Sequence, residues 1–202
     1  MTRKIDIHSD YESFKKAFLE ENSKHNLISK NDENFLYEKH FYDSLGIKLF
    51  FDKYEIENCS ILDIGCGGGF PCVPVALEYP NIKIVGLDSI RKKIDSVQNI
   101  KNKLNINNLE LICDRAENIN NKKFDVVISR AVADLKKISA YALPFLNKNG
   151  CFVAYKSKKA LDELKDAKTF LEKSGLKVID IIEYQLPLEE VYERNLIIIK
   201  KL

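Results

Sequence analysis

The sequence predicts an α/β protein: one doubly wound, Rossmann-like domain built on a mostly parallel sheet of seven strands with N-terminal helices. Three observations predict it. From Cys59 onward, short β-branched or aliphatic runs alternate with helical patterns. The runs are nearly all apolar, as strands covered on both faces are. The first run ends in a glycine-rich turn with a proline placed to open a helix, since proline's missing N–H costs nothing in a first turn.

Residues from about Asp10 to Tyr54 suit helices. Ser9 and Asp10 are plausible caps, and Phe14, Ala17, Phe18 and Glu21 start a stripe at helical spacing. Phe35, Leu36, Phe41, Leu45 and Leu49 continue it beyond the polar break at 29–34. Strands are expected at Ser60–Ile64, Lys83–Leu87, Leu109–Cys113, Phe124–Ser129, Gly150–Tyr155, Lys177–Tyr184 and Asn195–Lys200. Helices are expected near Pro74–Glu78, Arg91–Leu104, Arg115–Asn118 (a short piece), Leu135–Leu146 and Lys158–Ser174, the last closed by Gly175. No helix separates the last two strands, so the chain turns near Leu186-Pro-Leu188 and the terminal strand runs antiparallel. Residues 1–58 are expected as a helical extension packed on a 59–202 core, together one compact domain.

Composition is that of a globular protein, 45% hydrophobic and 31% charged. The longest apolar stretches, such as Leu196–Ile199, are strand-sized, so no membrane span is expected. The start, Met1 to His8, has two basic residues and no apolar segment behind them, so no secretory signal is visible. The five cysteines form no CxxC pair, and Cys66 and Cys72 have no histidine close by in sequence. That pattern predicts reduced thiols in a cytoplasmic protein and no metal. The net charge of +2 does not announce a nucleic-acid partner. Residues 1–58 carry 9 Lys/Arg against 12 Asp/Glu and the rest 23 against 18, so a phosphate-facing surface is expected on the second part.

The most informative segment is Ile61-Leu-Asp63-Ile-Gly65-Cys-Gly67-Gly-Gly69-Phe70-Pro71. Glycines let the chain bend sharply and let a ligand approach bare backbone, and in open α/β sheets the ligand lies at this end of the strands. A dinucleotide fingerprint needs G-x-G-x-x-G, but its third place is Phe70, whose benzyl group should obstruct helix–strand packing. S-adenosylmethionine has no pyrophosphate and needs only a close approach of its amino-acid end and ribose, which Asp63-Ile-Gly65-x-Gly67-x-Gly69 permits. Five βα units and a terminal hairpin also match the strand count of Rossmann-like methyltransferases.

Asp88, at the end of the second strand, either accepts the ribose hydroxyls or caps the next helix. Asp114-Arg115-Ala116-Glu117 stands where an adenine edge would lie, and Ser129-Arg130-Ala131 should face the same crevice. His40 and Asp43, three apart on a helix, can share a hydrogen bond. A bond fastening the N-terminal helices to the sheet is preferred here over a proton-transfer pair.

Taken together these residues resemble the RsmG (GidB) family, bacterial methyltransferases acting on N7 of a guanine in the 530 loop of small-subunit (16S) rRNA. The resemblance spans nearly the whole chain. It rests on Asn26-Leu27, His40-Phe-Tyr-Asp43-Ser44-Leu45, the glycine loop with Phe70-Pro71, Leu87-Asp88-Ser89, and Arg91-Lys92-Lys93. Arg115-Ala116-Glu117, Phe124-Asp125, Ile128-Ser129-Arg130-Ala131 and Ala154-Tyr-Lys156 complete it. It implies that Gly65, Phe70, Ala116, Glu117 and Arg130 bind S-adenosylmethionine, with Asp88 in the same pocket by position. Cys72 stands where the family usually has Gly, and Ile28 where it usually has Thr.

Guanine N7 has a free lone pair, so its methylation releases no proton from the attacked atom and needs no general base. Arg130 and Lys156 are the expected positioning residues beside the base. Arg91, Lys92, Lys93 and Arg115 are candidates for RNA contact, against a plain solvated helix turn for the first three. The implied partner is small-subunit rRNA or the 30S particle, with the protein a monomer and no membrane involved. Three alternatives remain: a methyltransferase acting on a small molecule or protein, an NAD-dependent oxidoreductase disfavoured by Phe70, and a catalytically silent binding module.

Overall fold

A computed structural model describes residues 5–202; the basic start Met1–Lys4 lies outside them. The chain opens with α1 (Tyr11–His25), α2 (Lys30–Glu33), a π-helical segment (Leu36–Tyr42) and α3 (Ile47–Tyr54). Then come β1 (Ser60–Ile64), α4 (Cys72–Glu78), β2 (Lys83–Asp88), α5 (Arg91–Lys103), β3 (Leu109–Cys113), a 3₁₀ turn (Ala116–Asn118) and β4 (Phe124–Arg130). The rest is α6 (Leu135–Ala142), a 3₁₀ turn (Leu143–Phe145), β5 (Leu146–Ser157), α7 (Ala160–Lys173), β6 (Leu176–Gln185) and β7 (Glu193–Lys201).

The seven strands are ordered β3-β2-β1-β4-β5-β7-β6. The β1 to β5 ladders are parallel, and β7 pairs antiparallel with both β5 and β6. The antiparallel strand is therefore the chain's last, and it lies inside the sheet rather than at its rim. Side chains alternate between two apolar layers, as a period of two requires. Ile61, Val126, Leu196 and Ile198 pack with α1, α3, α4 and α5, while Leu62, Val127, Ile197 and Ile199 pack with α6 and α7.

Local chemistry sets the ends of α1. The Asp10 side chain accepts from the Ser13 N–H at 3.1 Å, and Asn26 closes the helix with φ 48°. Phe14 and Phe18 enter the core, and Asn is among the few non-glycine residues that take a left-handed cap. The Glu21 position on the same stripe is buried too, and its carboxylate takes bonds from Lys24, Asn99 and Lys103, tying α1 to α5. The expected helix at Leu135–Leu146 stops at Ala142, because Pro144 holds a 3₁₀ turn and Leu146 already starts β5. The second helical stretch of the N-terminal region is a π segment followed by α3, with Leu36 and Phe41 still inward.

Among the described residues, no helix is long and apolar enough to cross a membrane. Outward growth from β1 to β3, then return through β4 to β5, puts the reversal of strand order between β1 and β4. Doubly wound sheets hold their ligands at that crevice.

Candidate active site

The chain leaves β1 at Ile64 and turns through Gly65 with φ 75°. A Cβ there would lie 2.4 Å from a Val132 methyl, so both backbone conformation and space select glycine. At Gly69, φ 95° and a Val73 methyl 2.7 Å from an added Cβ make the same demand. Gly69 thus leaves room for Val73 of α4 and Val97 of α5 to pack against the turn. Phe70 does not obstruct that packing, contrary to expectation. Its ring turns instead into the N-terminal helical layer, centred 5.0 Å from both the Phe18 and His40 rings.

Of the six amides from Gly65 to Phe70, five donate within the protein. Gly65 and Cys66 donate to the Leu87 carbonyl, Gly69 and Phe70 to the Cys66 carbonyl, and Gly67 to Asp88 Oδ2 at 2.9 Å. Asp88 Oδ1 accepts from Ile90 N–H at 2.9 Å, so the carboxylate braces the loop and also caps the approach to α5. Each of its oxygens keeps a second lone pair for a ligand hydroxyl. Below the loop, Asp63 is fully buried, and its Oδ2 accepts from the Cys72 N–H at 3.0 Å. Burial outweighs that bond and lifts the Asp63 carboxyl to about 7.

A cavity of about 630 Å³ opens at the β1/β4 crevice. It brings together Gly65, Phe70, Asp88, Ala116, Glu117 and Arg130 from the expected site. Arg115 and Lys93 also reach its wall, while Arg91 and Lys92 are exposed outside it. Sequence reasoning missed Leu27, Ile28 and His40 as wall residues from the helical layer, and Val132 and Tyr141 from the far side. Asn26-Leu27 and His40 stood in the motifs of the resemblance, which was the available signal.

Lys156 is not at this cavity, correcting its expected place beside the reacting base. Its ammonium donates to the Ala133 carbonyl at 2.7 Å and pairs with Glu163 at 2.6 Å, and Glu163 also accepts from Leu135 N–H. This amine pins the segment after β4 to α7. Ser129, expected to face the crevice, is buried and donates to the Ile64 carbonyl at 2.9 Å, stitching β4 to β1.

The His40 and Asp43 side chains do not bond to each other, as their spacing had suggested; Arg130 stands between them. One guanidinium nitrogen donates to the Lys39 carbonyl at 2.9 Å and to Asp43 Oδ2 at 3.0 Å, and the other meets His40 Nδ1 at 3.1 Å. The fully buried Asp43 also accepts from Tyr184 at 2.7 Å and from Arg194 Nε at 2.9 Å. Burial pushes the Asp43 carboxyl up, but Arg194 and Arg130 prevail and hold it below the usual carboxylate range. Burial and the Arg130 cation together pull the His40 imidazole down to about 4. The fastening role is real, because Asp43 joins the helical layer to β4, β6 and β7. Arg130 also lies over the Phe70 ring, 5.2 Å from its centre.

These groups fit a ligand with a ribose and a zwitterionic amino-acid end better than one with a pyrophosphate. A phosphate nest needs free amides, and here they are spent with a carboxylate set beside them. The cavity volume lies within the range of small-molecule sites, roughly 300–1,000 Å³.

Comparison with known proteins agrees. Residues 7–196 match the model of the GidB family, described as rRNA small subunit methyltransferase G. A ribosomal RNA small subunit methyltransferase G from Staphylococcus saprophyticus is 36% identical over 195 residues, covering 95% of this chain and 80% of the relative. One from Oceanobacillus iheyensis is 38% identical over 188 residues, covering 91% and 78%. Among solved structures, a Listeria monocytogenes protein assigned as a class I S-adenosylmethionine-dependent methyltransferase superposes with TM-score 0.68 at 17% identity, over 99% of this chain and 71% of that one. TYW2 of M. jannaschii, solved with AdoMet, gives 0.58 at 21% identity, over 72% and 70%. These two structures speak to the fold alone, and they share it.

Proposed function

This chain belongs to the rRNA small subunit methyltransferase G family, and from that premise we propose that it transfers a methyl group from S-adenosylmethionine to N7 of a guanine in the 530 loop of small-subunit rRNA. The observation that carries the reading is the crevice itself. A glycine turn with spent amides, a braced Asp88 carboxylate and an arginine-lined wall share one cavity at the strand-order switch.

The cofactor, once bound, supplies an electrophilic methyl on a sulfonium. Asp88 would accept both ribose hydroxyls with its free lone pairs, and the Ala116–Glu117 backbone and carboxylate would meet the adenine edge. Gly65 would let the amino-acid end rest on bare main chain, with Phe70 and Arg130 closing that side. No residue needs to remove a proton from N7, so the chain's contribution is alignment, an effect that can lower a barrier by ~7–11 kcal/mol. Arg130 serves as a fixed cation in the wall. Lys156 acts from behind, holding Ala133 and so the neighbouring Val132.

Lys93 and Arg115 are proposed as the RNA phosphate contacts nearest the cavity, with Arg91 and Lys92 extending them along the exposed turn of α5. The N-terminal helical layer is proposed as part of one catalytic unit with the core, because Leu27, Ile28 and His40 complete the cavity. The protein is proposed to act as a monomer on the rRNA or the 30S particle in the cytoplasm.

The test incubates the protein with labelled methyl donor and small-subunit particles from cells lacking the enzyme. Label recovered as N7-methylguanosine from the 530 loop is the expected result. Its absence, with active controls, overturns the rRNA assignment. A small-molecule or protein substrate would leave binding indifferent to salt, whereas RNA binding weakens steeply as salt rises.

A further inference from the structure

We propose that Glu163 of α7 is a positioning residue for methyl transfer, holding the β4–α6 loop through Lys156 so that Ala131 keeps the left-handed turn that shapes the cavity wall. This rests on the methyltransferase reading above and adds α7 to the elements on which the reaction depends.

Four residues, Ala131 to Asp134, join the end of β4 to the start of α6. Ala131 takes φ 57°, a backbone region in which a residue with a Cβ is crowded by its own carbonyl. Nothing inside the loop supports that turn. Among the described residues, no backbone amide from Ala131 to Asp134 donates a hydrogen bond. The one carbonyl from Ala131 to Ala133 that accepts a bond is that of Ala133, from Lys156. A turn of this kind persists only where its surroundings over-determine it, and such strain gathers at functional sites. Ala131 and Val132 both line the cavity, and a Val132 methyl stands so near Gly65 that an added Cβ would meet it at 2.4 Å. The loop is part of the cavity wall, following directly on Arg130 and packed against the glycine turn.

The support comes from outside, and it converges on Glu163 Oε2. That oxygen pairs with Lys156 Nζ at 2.6 Å and accepts from the Leu135 amide at 2.8 Å, while Lys156 Nζ donates to the Ala133 carbonyl at 2.7 Å. One carboxylate oxygen therefore fixes both flanks of Asp134. The Lys156 side chain is only 10% exposed, so its ammonium needs a counter-ion to stay where it meets Ala133. Glu163 is the one carboxylate that pairs with it among the described residues. With Glu163 made neutral, the cation turns toward solvent and Ala133 loses its bond, which leaves Ala131 free to relax to negative φ. An acid in the first turn of α7 also suits that helix's dipole, but that role needs neither a lysine nor an amide from another element.

The test follows transfer of label from S-adenosylmethionine to small-subunit particles in the steady state. Glu163→Gln keeps an acceptor for the Leu135 amide and loses the charge that holds Lys156. Its kcat should fall at least about fivefold, since misplacing reacting groups by about 1 Å can cost ~100-fold. The particle KM should stay within about twofold, because the RNA-facing cations lie on other elements. Lys156→Met breaks the same link from its other end with an apolar chain of similar length, and should show the same loss. The double variant should lose no more than about twofold beyond the larger single loss, as for two residues acting through one contact. Glycine takes positive φ without crowding, so in an Ala131→Gly background Glu163→Gln should cost less than about threefold. A role for Glu163 in docking α7 alone would give no such rescue. A smaller fall in kcat, single losses that multiply in the double variant, or a loss of threefold or more in the Ala131→Gly background each overturn the proposal. So does an Ala131→Gly protein without measurable transfer. If wild-type protein places no label on guanosine N7, the parent reading fails instead; label there with an unmoved kcat in Glu163→Gln fails this one.

Discussion

Replacing Asp63 by Asn makes a quantitative test of the packing beneath the glycine turn. The carboxylate is wholly buried, one oxygen accepts from the Cys72 amide, and the other has no partner among the described residues. Burial lifts its pKa from 3.8 to about 7. At 1.36 kcal/mol per unit the shift is worth roughly 4 kcal/mol. Between about pH 4 and pH 7 the folded protein keeps a proton that the unfolded chain has released. The contribution of this group to stability is therefore fully present below about pH 4 and is lost as pH rises through about 7. Asparagine keeps the shape and the acceptor for Cys72 but cannot ionise. The stability of Asp63→Asn minus that of wild type should climb by roughly 4 kcal/mol from about pH 4 to about pH 8. Urea denaturation followed by circular dichroism at several pH values in this window measures it. A constant offset from the new amide leaves the slope untouched. A difference that stays flat within about 1 kcal/mol, or falls with pH, refutes the assignment of a protonated Asp63.

Gly65→Val places a β-branched residue at φ 75° against Val132, and methyl-donor affinity in calorimetry should drop at least about tenfold. Unchanged affinity would contradict the placement of the cofactor at this turn. Asp43→Ala leaves Arg130 and Arg194 buried without their shared counter-ion. Chemical denaturation should show a loss of about 3–5 kcal/mol, and a loss under about 1 kcal/mol would be inconsistent with the hub. Lys93→Ala should reduce the salt slope of rRNA-particle binding by about one, as expected for one lost phosphate contact, while Lys156→Ala should leave the slope unchanged. Equal slopes for the two variants would remove Lys93 from the RNA surface. Secondary and tertiary signals should melt together if the helical layer and the sheet are one unit; two separated transitions would divide them at about residue 58.

Much of the fold was legible because its signals are local. The apolar runs matched all seven strands to within a few residues, and Asp10 and Gly175 marked helix ends through chemistry confined to one turn. Strand β5 was cut short at its start, since Asn147–Asn149 look like a loop and are themselves unpaired, lying in the irregularity between the Leu146–Phe124 and Cys151–Val126 pairings. The glycine turn, Asp88, Glu117 and Arg130 were readable as a group because strand ends in a parallel sheet converge on one edge. Lys156 was misplaced because a lysine at a strand end reads the same whether its amine faces a crevice or a neighbouring carbonyl. His40 and Asp43 were seen as a pair, but the arginine between them comes from β4, about ninety positions away in the chain.

By itself the sequence determined the strand count, the parallel core, the bend after Ile64 and the family, since each depends on neighbouring residues or on motif order. Tertiary structure alone decided which polar groups meet. It set β7 between β5 and β6, turned Phe70 toward α1 and spent the turn's amides on Leu87, Cys66 and Asp88. It also bound His40 to Arg130. Those partnerships depend on distances between elements far apart in the chain, which a string of residue types does not contain.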